Sequence, residues 1–115
     1  MKDIERIIQY EDKEYSLVFN LNVMEEIQEE YGTLDKWATL TDGSGGEPNA
    51  KAIIFGFCSM LNEGIDINNE KYGTSIRPLT LKQAGRIITK IGFDKATSVL
   101  NQTVIDSTQS AEKNA

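Results

Sequence analysis

The sequence predicts an α+β domain, mostly α, with an N-terminal two-stranded β-hairpin packed on four to five short helices. Three observations carry that expectation. Residues 4–10 and 14–19 are rich in β-branched and aromatic residues and stand only three residues apart. After Asn20 several segments carry apolar residues at helical spacing, punctuated by capping residues and glycines. The 115-residue chain has a 39% hydrophobic share, enough for one core and not for two. A single domain over 1–106 with a disordered tail over 107–115 is the expected organisation.

In the second run Tyr15, Leu17 and Phe19 fall on one side of a strand, and Glu11-Asp12-Lys13 is left as the hairpin connector. Asn22 followed by Glu25 has capping-box spacing. Met24, Ile27 and Tyr31 then continue a helix that Gly32 stops. Thr33 is placed to cap a short helix over Leu34–Leu40, and 41–48 (TDGSGGEP) has loop composition. A third helix is expected to begin near Pro48 or Asn49 and to end at Gly64. Its apolar set of Ala50, Ile53, Ile54, Phe57, Cys58 and Leu61 is broadened by Phe55 and Met60, so it is the most buried helix. Residues 65–78 then form a polar loop. Thr80 and Gln83 form a second capping box, opening a helix that stops at Gly92. A last helix is expected from Asp94 to about Asp106.

Composition excludes several function classes. The chain has no histidine and one cysteine, Cys58, which removes Ser-His and Cys-His nucleophile pairs, most zinc sites and any internal disulfide. No cofactor and no metal are expected. Residues 1–20 lack the apolar stretch of a secretion signal, and no apolar run approaches membrane-spanning length, so a cytoplasmic, membrane-free protein is expected. Asp66-Ile-Asn68-Asn69-Glu70 opens like a calcium loop, but Lys71 stands where that loop needs glycine. Gly43, Gly45 and Gly46 are not followed by Gly-Lys-Ser/Thr, so a loop is the simpler reading. Asn101-Gln-Thr103 matches a glycosylation sequon inside a predicted helix, a poor acceptor context. Cys58, on the apolar stripe, reads as a small core hydrophobe. No enzymatic constellation emerges, and the expectation is a non-enzyme.

The charge pattern points to interaction instead. Residues 1–32 hold nine acidic and three basic side chains, while residues 71–95 carry six basic residues against Asp94 alone. Glu25, Glu26, Glu29 and Glu30 form an acidic helix face; Lys82, Arg86 and Lys90, spaced by four, form a basic stripe. Within one chain these faces meet each other or water; otherwise the acidic face of one copy meets the basic stripe of the next, head to tail, as a homo-oligomer. Trp37, the only tryptophan, is either a core anchor or a binding anchor. The net charge of -6 argues against nucleic acid as a partner.

Read in order, these segments resemble a known family. The hairpin leads into Phe19-Asn20-Leu21-Asn22, then a Glu-rich helix ending Glu29-Glu30-Tyr31-Gly32, then Thr33-Leu34-Asp35-Lys36-Trp37. This order resembles the tail assembly chaperones of long-tailed, siphovirus-like bacteriophages and prophages. Leu79-Thr80-Leu81-Lys82-Gln83-Ala84-Gly85 is similar to the family's Leu-Thr-x-x-x-x-Gly segment. The resemblance covers residues 5 to about 105. Two departures stand out: the connector Glu11-Asp12-Lys13 lacks the usual glycine, and Lys82 and Gln83 replace acidic residues after Leu-Thr.

The resemblance implies a morphogenesis factor of the host bacterial cytoplasm that binds the tape-measure protein, recruits tail-tube subunits and leaves before the virion is finished. It also implies, in many phages, a longer frameshifted form. The candidate partner or self-association surface comprises Glu25, Glu26, Glu29, Glu30, Trp37, Lys82, Arg86 and Lys90. The alternative is a small regulatory nucleic-acid-binding protein using the basic helix 81–91, which requires that helix to protrude.

Overall fold

An antiparallel hairpin opens the fold, with β1 (Glu5–Tyr10) paired to β2 (Lys13–Val18) from Glu5↔Val18 to Tyr10↔Lys13. The computed structural model describes Met1 and residues 4–109. Because Tyr10 pairs with Lys13, the connector shortens to a two-residue turn, Glu11-Asp12. Glu11 takes φ 57°, a left-handed conformation that glycine would adopt without steric cost. The missing turn glycine is therefore replaced by local strain at Glu11. Five helices follow among the described residues: α1 (Leu21–Tyr31), α2 (Leu34–Thr41), α3 (Ala50–Tyr72), α4 (Leu81–Ile91) and α5 (Phe93–Gln109).

α3 is the central element, and the hairpin lies on it through β2. Leu17 and Phe19 are fully buried with Ile53, Phe57, Met60 and Leu61 of α3, joined by Val23 and Ile27 of α1 and Leu100 of α5. A two-stranded sheet is marginal alone in water, so this packing is what holds the strands. Arg6 of β1 also pairs with Asp106 of α5.

Three expectations are corrected here. α3 does not end at Gly64 but runs to Tyr72, where Gly73 (φ 67°) closes it in the left-handed cap conformation. Residues 65–72, read as loop and including the calcium-loop-like segment, are helical. Gly64 serves packing instead: a Cβ there would lie 2.1 Å from the Ser16 carbonyl oxygen, so β2 reaches α3 only across a bare backbone. Asn69 then fixes the true loop, its side-chain oxygen accepting from the Ile76 N–H (3.0 Å) and the Thr74 hydroxyl (2.7 Å).

The cap of α1 is Asn20, not Asn22. The Asn20 side-chain oxygen accepts from Val23 N–H, and the side-chain amides of Asn20 and Asn22 both donate to Glu63 at 2.7 and 3.1 Å. α1 begins at Leu21, so Asn22 already lies inside the first turn, Asn20 holds the cap position and Glu25 closes no box. The capping box of Thr80 and Gln83 forms as the spacing predicts. α5 passes Asp106 to Gln109, so residues 107–109 of the expected tail are helical. Ser107 is buried, and the Thr108 hydroxyl donates to the Val104 carbonyl at 2.9 Å, which satisfies a polar group within the helix. Residues 110–115 lie outside the described residues.

Candidate functional site: a charged groove between α1 and α4

The amphipathic pattern of α4 buries Ala84, Ile87 and Ile88. Those residues pack the helix against α3, α5 and β1 and turn Lys82, Arg86 and Lys90 outward. α1 buries Val23 and Ile27 and leaves its four glutamates exposed. Over α3 runs an open groove in three contiguous sections, the first two between α1 and α4 and the third between α4 and the end of the hairpin.

The first section, about 560 Å³, is lined by Glu25, Glu26, Glu29 and Glu30 with Phe55, Cys58, Ser59, Asn62 and Leu81. The middle section, about 500 Å³, joins Glu30 to Lys51, Lys82 and Gly85 over Ile54, Phe55 and Leu81. The third, about 620 Å³, is lined by Lys82, Arg86, Thr89 and Lys90 with Tyr10 and Glu11 of the hairpin turn. The groove thus has an acidic end, an apolar waist and a basic end. Phe55 is held in the waist by an edge-on contact with Tyr31, ring centres 5.6 Å apart.

The charged walls are not spent on each other. Among the described residues the ion pair within 4 Å is Arg6–Asp106, and none involves the α1 glutamates or the α4 cations. Glu26 accepts a hydrogen bond from the Ser59 hydroxyl. The acidic and basic stripes therefore flank one groove of one chain and share its central section through Glu30 and Lys82. Within the chain the two stripes thus lie open to water rather than meeting each other.

Trp37 does not belong to this surface. It is 0% exposed, its indole N–H donates to the Ala52 carbonyl at 2.9 Å, and its ring lies on Gly56, where a Cβ would come within 2.4 Å. Of the two roles open to it, the structure gives it the core. The other seven candidates, all exposed, line the groove.

Sequence reasoning missed the groove's apolar floor, although a signal was present. An apolar set as wide as that of α3 cannot all be buried by the few elements around it, and Ile54 and Phe55 fall on the remainder, half-buried. Leu81, 55% exposed, adds to the same surface. Gly85 entered only through the Leu79–Gly85 resemblance and not as a groove residue. A Cβ there would meet only Ile54 Cδ1 at 3.6 Å, an ordinary contact, and its backbone needs no positive φ. Glycine inside a helix costs roughly 0.8–1.0 kcal/mol against alanine. Packing does not explain why that cost is accepted in mid-α4.

Cys58 lies at the rim of the acidic section, 5% exposed, with its sulfur 3.5 Å from the Leu79 carbonyl. Burial first, and then the Glu26 charge, push its thiol up from the ordinary range, so it stays protonated at neutral pH. An activated nucleophile needs the opposite shift. Asn62 anchors the strand of chain leading into α4, accepting from Leu79 N–H (2.7 Å) and donating to Leu79 C=O (3.0 Å). Asn101 of the sequon bonds inward to Thr41, donating to its carbonyl at 3.0 Å. Among the described residues no group of three His, Cys, Asp or Glu side chains is placed to hold a metal ion. No helix among them is long and apolar enough to cross a membrane.

Comparison with protein-family models, curated proteins and solved structures finds no match to the chain. The functional reading therefore rests on the groove and on the sequence resemblance.

Proposed function

We propose that this protein is a non-enzymatic tail assembly chaperone of a long-tailed phage or prophage. In this reading it works in the bacterial cytoplasm, holds helical segments of the tape-measure protein in the α1–α4 groove, recruits tail-tube subunits and is absent from the finished virion. The observation that carries the reading is the groove itself: an exposed apolar floor of Ile54, Phe55 and Leu81 between walls of unpaired charge. Apolar surface of that kind, rimmed by polar residues, marks interaction sites. An amphipathic helix laid in a groove is an established recognition mode for such a surface. A tape measure is long, helical and apolar, and needs covering until the tube closes around it.

The alternative of nucleic-acid binding is less well supported. α4 is packed on three elements rather than protruding, and Glu11 and Glu30 line the groove beside its cations, where they oppose a phosphate backbone.

Co-expression with the tape-measure protein of the same genome tests the reading. The wild-type chain is expected to keep the tape measure in the supernatant and to co-purify with it. Phe55→Asp with Leu81→Asp, two changes at residues that are already partly or largely exposed, is expected to lose both effects while the protein stays folded. Equal recovery of the tape measure with the wild type, the double variant or no chaperone would refute it.

A further inference from the structure

The groove has a direction, and it has a glycine that the fold does not ask for. The two facts bear on the same question, which is how an occupant lies. Its acidic end is built by four glutamates of α1; its basic end is built by Arg86 and Lys90 with Lys82 at the junction, three cations against the single carboxylate of Glu11. No residue of the first section lines the third, so the poles are separated by the apolar waist. A helix carries partial positive charge at its N-terminus and negative charge at its C-terminus. In a groove with opposite poles those ends are not equivalent.

Gly85 sits where the waist meets the basic section and lines both. Because its Cβ would find room against Ile54, the missing side chain serves no contact inside the chain. It does leave the α4 backbone bare toward the groove. A bare backbone at a helix crossing lets a second helix approach closely, which is what Gly56 and Gly64 already do for Trp37 and β2 inside this fold.

We propose that the groove seats a partner helix in one direction, crossing α4 at Gly85. Its N-terminal end lies against the α1 glutamates and its C-terminal end against Arg86 and Lys90. The occupant it fits is an amphipathic helix with an apolar stripe at its middle, basic residues toward its N-terminus and acidic residues toward its C-terminus. This deepens the groove reading above and rests on it.

The test uses two synthetic helical peptides of about 14 residues, roughly four turns, identical in composition and in their central apolar stripe. One carries its lysines first and its glutamates last; the other reverses the order. The full-length protein is expected to bind the lysine-first peptide at least about tenfold more tightly at 50 mM salt, with the gap narrowing at 500 mM as screening shortens. Charge reversal by Glu25→Lys, Glu29→Lys, Lys82→Glu and Arg86→Glu is expected to invert the preference. Gly85→Ala is expected to raise the melting temperature by about 4 °C while weakening the lysine-first peptide about tenfold, opposite signs that misfolding cannot produce. Equal affinity for the two peptides, binding of neither, or Gly85→Ala binding unchanged would each overturn the proposal. So would a dimer that charge reversal dissolves, since a second copy would then fill the groove. Equal affinity overturns the direction alone and leaves the groove reading standing, whereas that reading falls with the co-expression experiment.

Discussion

Gly64→Ala is expected to destabilise the protein by about 3 kcal/mol or more, lowering the melting temperature by roughly 10 °C or beyond. Alanine ordinarily favours a helix over glycine, and α3 is helical on both sides of this position. The added Cβ, however, would lie 2.1 Å from the Ser16 carbonyl oxygen and 3.0 Å from the Ser16 carbonyl carbon and Cβ. The obstacle is strand backbone, not the far end of a flexible side chain. β2 must lift, and Leu17 and Phe19 leave the core with it. Thermal unfolding followed by circular dichroism measures the effect. Melting within a degree or two of the wild type would mean that β2 does not rest on α3 at Gly64. The contrast with Gly85→Ala is instructive: the same change, in mid-helix both times, is expected to have opposite signs.

Trp37→Ala is expected to cost about 3–5 kcal/mol, the range for emptying a large aromatic site in a packed core. α2 is only eight residues long and is not stable unless docked. Trp37 does the docking, its ring on Gly56 and its N–H on the Ala52 carbonyl. Trp37→Phe keeps most of the apolar volume and loses the hydrogen bond, so it is expected to cost less than the alanine variant. Denaturant unfolding of the three proteins should therefore rank wild type above Trp37→Phe above Trp37→Ala. An alanine variant as stable as the wild type would return Trp37 to the surface role that its residue type alone also allows.

The elements that were legible in the sequence are those whose signals are local. The hairpin follows from strand-forming runs three residues apart, and α4 from the Thr80–Gln83 box and Gly92. What was not legible depends on neighbours distant in the chain. Gly64 carries the mark of a helix stop and is in fact a seat for β2, forty-eight residues earlier, which only the fold brings to it. Asn22 has the capping-box spacing, but the helix starts one residue after Asn20, which takes the cap, and Glu63 binds both asparagines. Ser107 looks like the start of a polar tail, yet it is a fully buried residue of α5. The site divides in the same way. Helical spacing gave both charged stripes, because four-residue spacing is a local fact. That they flank one groove, with Ile54, Phe55 and Leu81 between them, is a property of how α1 and α4 are laid on α3.

Amide hydrogen exchange on the free protein and on its complex with the tape-measure protein tests the central claim most directly. Binding in the groove predicts slowed exchange in three segments together: 25–31 of α1, 54–62 of α3 and 81–90 of α4. The part of β1 before Tyr10 and the far half of α5 should be unchanged. Protection confined to the hairpin edge or to α5, with the α1 and α4 segments exchanging as in the free protein, would contradict it.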